Sequence, residues 1–225
     1  MNFIVRIPLN PTPEQHARLL ALQQSFAQVC NALAPMVQQT RVWNRVALHH
    51  MAYKGLRERF PALGSQMVCN AIYSVSRAAR VVFQAPGSPF HHTRLANKPL
   101  PLLRFTDNCP VYFDRHTLSL KGTKASMYTL DGRMRFELAL SPEALQAFQA
   151  RRLLEIVLQQ QSSSFYLTFT FEQAAVQQEG LPSAQGAVPE RHDGAEEGPS
   201  GQGEPATRMP HLPYMPQYIQ VEEAT

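Results

Sequence analysis

Between Ser65 and Phe83 the chain reads SQMVCNAIYSVSRAARVVF. Val68, Ile72, Val75, Ala79 and Val82 recur in it at steps of three and four, the period that puts all five on one face of an α-helix. A helix with such a stripe has to bury it against another layer, so the fold is expected to be organised around this segment. Turned away from the stripe are Gln66, Asn70, Tyr73, Ser74, Arg77 and Arg80. Most polar helix faces are merely solvated. Amide, hydroxyl, aromatic and guanidinium groups, however, are also the ones that donate to phosphates and read base edges.

The chain before this segment carries clear punctuation. Asn2–Leu9 alternates as a strand and closes at Pro8. Thr12 stands as a helix N-cap, with Pro13 at the first helical position and Gln15 as the partner of a capping box. Leu19, Leu22, Phe26, Val29, Cys30 and Leu33 follow at helical spacing, and Pro35 predicts a break or kink. A second helix is expected from Asn44 to Phe60, on Leu48, Ala52, Leu56 and Phe60, with Ser65 capping the third. Three helices with short connections predict an antiparallel bundle.

Gln84–Pro101 holds Pro86, Pro89, Pro99 and Pro101 and no apolar period, which reads as a linker. After it the period becomes two. Leu103–Thr106, Val111–Phe113, Thr117–Leu120, Ala125–Thr129 and Met134–Leu140 read as short strands, with Asp131-Gly132 as a hairpin turn. A short helix from Ser141 to about Ala150 and strands at Leu153–Gln159 and Ser164–Glu172 complete the pattern. The expectation is an α+β fold: a small antiparallel β-barrel (residues 1–10 and 102–172) with an inserted helical bundle and linker (11–101).

From Gln173 the composition changes. Residues 1–172 hold 19 Lys/Arg against 9 Asp/Glu, whereas 173–225 hold 2 against 8 and seven prolines. The second part is expected to be a disordered acidic tail, with the MPHLPYMPQYI piece as its one candidate for docking. A basic body points to a polyanionic partner.

Chemical motifs are few. No G-x-S-x-G, G-x-x-x-x-G-K-[ST] or H-E-x-x-H occurs, and no cofactor is expected. Cys30, Cys69 and Cys109 are odd in number and far apart, which suits core packing in a reducing compartment better than zinc or disulfides. The pairs His49-His50 and His91-His92 diverge in direction and make no bidentate metal site. Neither a signal peptide nor a membrane span is recognisable, so an intracellular, cytoplasmic protein is expected. What remains is a set of basic residues interleaved with aromatics and amides: Arg45, His49, Tyr53, Lys54 and Arg57 on the second helix, and Gln66, Asn70, Tyr73, Arg77 and Arg80 on the third. These are candidate nucleic-acid contacts.

The order of motifs adds to this. Pro8–Gln15 (PLNPTPEQ), Phe26 with Asn31, Leu48–Gln66 (LHHMAYKGLRERFPALGSQ), Ala71–Val75, Thr129–Phe136 (TLDGRMRF) and Ser163–Phe171 (SSFYLTFTF) follow one another. Over residues 1–172 the sequence resembles the amino-terminal half of the TnpB (OrfB) family, the transposon-encoded RNA-guided nucleases related to type V CRISPR effectors. The resemblance implies a wedge-like barrel and a helical recognition domain that bind a structured guide RNA and its duplex with DNA. It further implies that Lys121, Lys124, Arg133 and Arg135 line the barrel side of that interface. The family's nuclease domain, with its three metal-binding acids and four-cysteine zinc ribbon, has no counterpart in residues 173–225. Binding of guide-like RNA, and of duplex DNA, without cleavage is therefore the expectation. Two alternatives stand beside it: a non-functional truncated remnant, and a protein-interaction module.

Overall fold

The computed structural model describes residues 2–172 and 216–222. In chain order the elements are β1 (Phe3–Pro8), α1 (Pro13–Thr40), α2 (Arg45–Arg59), α3 (Ser65–Phe83), β2 (Leu102–Phe105), β3 (Val111–Phe113), β4 (Leu118–Lys121), β5 (Lys124–Thr129), β6 (Gly132–Glu137), α4 (Pro142–Ala150), β7 (Leu153–Gln161), β8 (Ser164–Phe171) and β9 (Ile219–Glu222). All described residues fall in one unit. The fold is mixed α+β with antiparallel sheets.

Local chemistry explains the helix ends. The Thr12 hydroxyl accepts from the Gln15 amide at 3.2 Å while the Gln15 side chain accepts from the Thr12 amide at 3.0 Å, and Pro13 opens the helix. The Asn44 side chain accepts from the amides of Val46 and Ala47 at the start of α2, and Ser141 does the same for Ala144 in α4. The cap of α3 is Gly64 rather than Ser65, which is its first helical residue and makes no capping bond. Pro35 does not end α1, which continues to Thr40. Helix propensity loses here to tertiary support, because α1 packs on α3 and β2, with Asn31, one turn before the proline, bonded to Phe105. The helix stops at Arg41, whose left-handed backbone (φ 56°) is held by its guanidinium on the carbonyls of Leu95 and Lys98.

The stripe of α3 is buried as its period predicts: Val68, Ile72, Val75, Ala79 and Val82 all lie in the core. They meet α1 and α2, and the same core runs on without interruption to Phe165, Leu167, Phe169 and Phe171 of β8. The supposed linker 84–101 is a series of turns packed on this core, with Ser88 and Leu100 buried.

The strands do not close into a barrel among the described residues. They form a four-stranded sheet in the order β1-β8-β7-β3, a three-stranded meander β4-β5-β6, and a two-stranded sheet β2-β9. The meander pairs only with itself, which leaves β4 and β6 as edges. Its second turn is Leu130-Asp131, closing the pair Thr129↔Gly132, one residue earlier than the Asp-Gly signal suggested.

The expectation of disorder throughout 173–225 also needs correction. Ile219–Glu222 forms β9, paired antiparallel with β2 in the register Phe105↔Ile219 to Leu102↔Glu222. Ile219 is buried and Tyr218 and Val221 pack on the core, so the few apolar residues near the C-terminus find a partner. Residues 173–215 and 223–225 lie outside the described residues.

Ile72 sits in the core with none of its surface exposed. Ile72→Ala is expected to lower the unfolding free energy by about 2–5 kcal/mol in urea titration. A loss under about 1 kcal/mol would contradict the packing described here.

Candidate nucleic-acid interface

The meander is built by strict alternation. Leu118, Ala125, Met127, Met134 and Phe136 point into the core. The intervening residues, Ser119, Lys121, Lys124, Ser126, Tyr128, Arg133, Arg135 and Glu137, share the opposite face. Register places Ser119 across from Ser126 and Ser126 across from Arg135, Tyr128 across from Arg133, and Lys121 across from Lys124. Two lysines directly opposite repel one another. The tight turn between them uses Gly122 at φ +59°, a conformation glycine adopts without strain.

Arg133 is the best-fixed cation of the four. Its guanidinium lies 4.2 Å over the Tyr128 ring and donates to the carbonyls of Ser126 (3.1 Å) and His116 (3.0 Å). Carbonyl partners orient the group without neutralising it. Tyr128 remains 43% exposed. A shallow depression is lined by Ser119, Lys121, Lys124, Ser126, Arg133 and Arg135, with no acid in its wall. Among the described residues none of these four cations takes part in a salt bridge. The acid on this face, Glu137, stands directly across from Lys124 in the register, makes no salt bridge with it and accepts from the Thr123 hydroxyl.

The helix candidates are divided. Several of them fasten α3 to the strands instead of facing outward. Asn70 is only 5% exposed and donates to the Tyr112 carbonyl at 3.0 Å; Ser74 is buried as well. Both contradict the expected solvent-facing arrangement, because α3 packs on β3 as well as on two helices. Gln66 donates to the Asp114 carboxylate at 2.6 Å. The Tyr73 hydroxyl donates to the Glu155 carboxylate at 3.1 Å, and Arg77 forms an ion pair with the same carboxylate. Arg57 donates to the Leu63 carbonyl and shapes the turn after α2. His49 stacks on Tyr53 with ring centroids 4.6 Å apart, both half-buried. Arg45 lies 5.2 Å from the Tyr73 ring and is exposed, as are Lys54 and Arg80. Those three, together with Arg59 of α2, are the helix cations presented to solvent without an ion pair among the described residues.

The structure thus brings Lys121, Lys124, Arg133 and Arg135 together and spreads the helix set. Ser119, Ser126 and Tyr128 were missed by the sequence reading. Their signal was available in the parity of KASMYT and GRMRFE, which puts Ser126 and Tyr128 on the side of Lys124.

No protein-family model and no curated protein matches the chain. Among the described residues no group of three His, Cys, Asp or Glu side chains is placed to hold a metal ion, and no helix is long and apolar enough to cross a membrane.

The anchors of α3 have a pH signature. Burial pushes the Tyr112 phenol well above its ordinary value, with Tyr218 and Glu155 adding to the rise and Arg77 opposing it. A raised pKa means that the folded state keeps its proton when the unfolded chain has lost it. The associated stability is complete below pH 10 and is lost as pH rises beyond it. The slope is at most about 1.4 kcal/mol per pH unit for this one group. Tyr112→Phe is expected to flatten the alkaline limb of a urea-stability profile taken between pH 8 and about 11. An unchanged limb would show that the phenol ionises as freely in the fold as out of it.

Proposed function

We propose that this chain binds structured RNA on the outer face of the β4–β6 meander. The observation that carries the reading is the gathering of Lys121, Lys124, Arg133 and Arg135 with Ser119, Ser126 and Tyr128 on one exposed face, its cations unneutralised by any ion pair among the described residues. Cations that neutralise phosphates release counterions, and serine hydroxyls donate to phosphate oxygens. An exposed tyrosine with a guanidinium held at its ring is a platform for an unpaired base. A phosphate between Lys121 and Lys124 would also relieve their repulsion. The basic balance of residues 1–172 favours the same class of partner.

The TnpB resemblance supports this reading from a separate direction. On it, the strands serve as a wedge-like scaffold, though in separate sheets. The exposed Arg45, Lys54 and Arg80 of α2 and α3 extend the contact to a guide-like RNA or to its duplex with DNA. The proposed activity is binding in the cytoplasm, with no cleavage step.

The test is anisotropy of a labelled RNA hairpin with an unpaired loop, titrated across a salt series from about 50 mM upward. Replacing Lys121, Lys124, Arg133 and Arg135 together by Ala is expected to weaken binding and flatten the log–log salt slope by up to about 3. Tyr128→Ala is expected to leave that slope unchanged while costing about 1–3 kcal/mol of affinity for the looped RNA. Undetectable binding at the lowest salt, or a four-residue variant with an unaltered slope, would overturn the proposal.

A further inference from the structure

β2 is a strand with two very different edges. On one edge the peptide groups of Phe105 are taken by a side chain: Asn31 of α1 donates to the Phe105 carbonyl at 2.9 Å and accepts from its amide at 2.8 Å. A single carboxamide thus closes that edge as a neighbouring strand would. Leu103 and Phe105 are buried, and β2 packs along α1. β2 is therefore held extended by the helix, whether or not another strand lies beside it.

The other edge presents the peptide groups of Leu102, Arg104 and Thr106, which alternate with those of Phe105. Its occupant is β9. The Thr106 amide donates to the Tyr218 carbonyl at 3.1 Å, and the strands run on in register to Leu102↔Glu222. Inward, Ile219 is buried and Val221 packs on the core, while Tyr218 is half-buried. Outward, Arg104 contacts both Glu222 carboxylate oxygens, at 3.1 and 3.0 Å. The occupant is short, its ion pair is half-exposed, and no third strand backs it among the described residues. A four-residue strand at the edge of a sheet, though packed on the core, opens locally at lower free energy than the elements inside it.

We infer that the outer edge of β2 is a preformed strand-docking site of which Tyr218–Glu222 is a displaceable occupant. The partner it fits is an extended segment of another protein with an aromatic residue, then an aliphatic, any residue, a second aliphatic and an acid. Backbone bonds to β2 supply affinity, and the inward aliphatics with the Arg104–acid contact supply selection. This inference does not depend on RNA binding. While β9 is seated it competes with the partner, so access to the site is set by the chain itself.

The test uses the full-length chain and a labelled, end-capped peptide of residues Pro216–Glu222. Ile219→Asp unseats β9 without touching β2, and the peptide is expected to bind this variant at least tenfold more tightly than it binds the wild type. Adding Arg104→Glu to Ile219→Asp should weaken the peptide three- to tenfold, and a peptide carrying Glu222→Arg should recover the loss. Equal binding to wild type and Ile219→Asp, or no recovery by the reversed charge, would overturn the inference. Hydrogen exchange on the unaltered chain decides the matter even if Ile219→Asp fails to fold. The Thr106 amide, bonded to β9, should be at least tenfold less protected than the Phe105 amide, bonded to Asn31. Equal protection would mean that β9 leaves only when the whole fold does, and the site would not exist. A wild-type dimer in light scattering with β9 exchanged between copies would assign the edge to a second copy and likewise overturn the partner reading.

Discussion

The burial of α3 is the constraint on which the rest of the molecule depends. Its apolar stripe closes against α1 and α2, and a second side of the same helix lies on the strands. That second side is polar, and its polarity is used up internally: Asn70 on the Tyr112 carbonyl, Gln66 on Asp114, Tyr73 and Arg77 on Glu155. Buried polar groups are costly unless bonded, and β3, the turn after it and β7 provide the acceptors; the buried Ser74 hydroxyl is the exception on this helix, with no partner among the described residues. A helix so committed has little left to offer a ligand. The consequence for function is that the outward chemistry lies mainly on the meander, whose outer face is bonded internally chiefly through Arg133 and Glu137.

α1 performs the complementary task. It spans about 42 Å at 1.5 Å per residue, and polar side chains along it bond to the β half of the molecule. Gln15 donates to the Arg135 carbonyl, Arg18 to Asp131, Gln23 to the carbonyls of Asn108 and Cys109, Asn31 to Phe105 and Gln38 to Leu100. Each ties an irregular or edge segment to a rigid rod. The meander is held in this way at Arg135 and at Asp131, whose carboxyl the Thr129 hydroxyl and the Arg18 guanidinium hold below its usual range. The cationic face therefore rides on a fixed support, which favours a preformed binding surface.

Much of this was legible in the sequence because the governing interactions are local. Capping by Thr12, Asn44 and Ser141 needs partners two or three residues away, and the α3 stripe and the β8 alternation are readable within a single element. The cap at Ser65 and the turn at Asp131-Gly132 were local signals misplaced by one residue, whereas the larger failures share the opposite property. Pro35 is tolerated because of contacts with β2, far along the chain. Asn70 is buried because strand carbonyls reach it from β3. β9 is four residues long and meets a partner more than a hundred positions away, so no window of sequence contains the pair. The absence of closure into a barrel is likewise a matter of which edges meet. Among the site residues, the four meander cations were named through the family resemblance, whereas Tyr128 required attention to strand parity.

The central claim is that RNA lies across the outer face of the meander. Ultraviolet cross-linking of the full chain to a looped RNA hairpin, with mass-spectrometric location of the adducts, tests it most directly. The account expects adducts at Tyr128 and its neighbours between Ser119 and Arg135, suppressed by added salt. Adducts confined to other surfaces, with none in this segment, would contradict it.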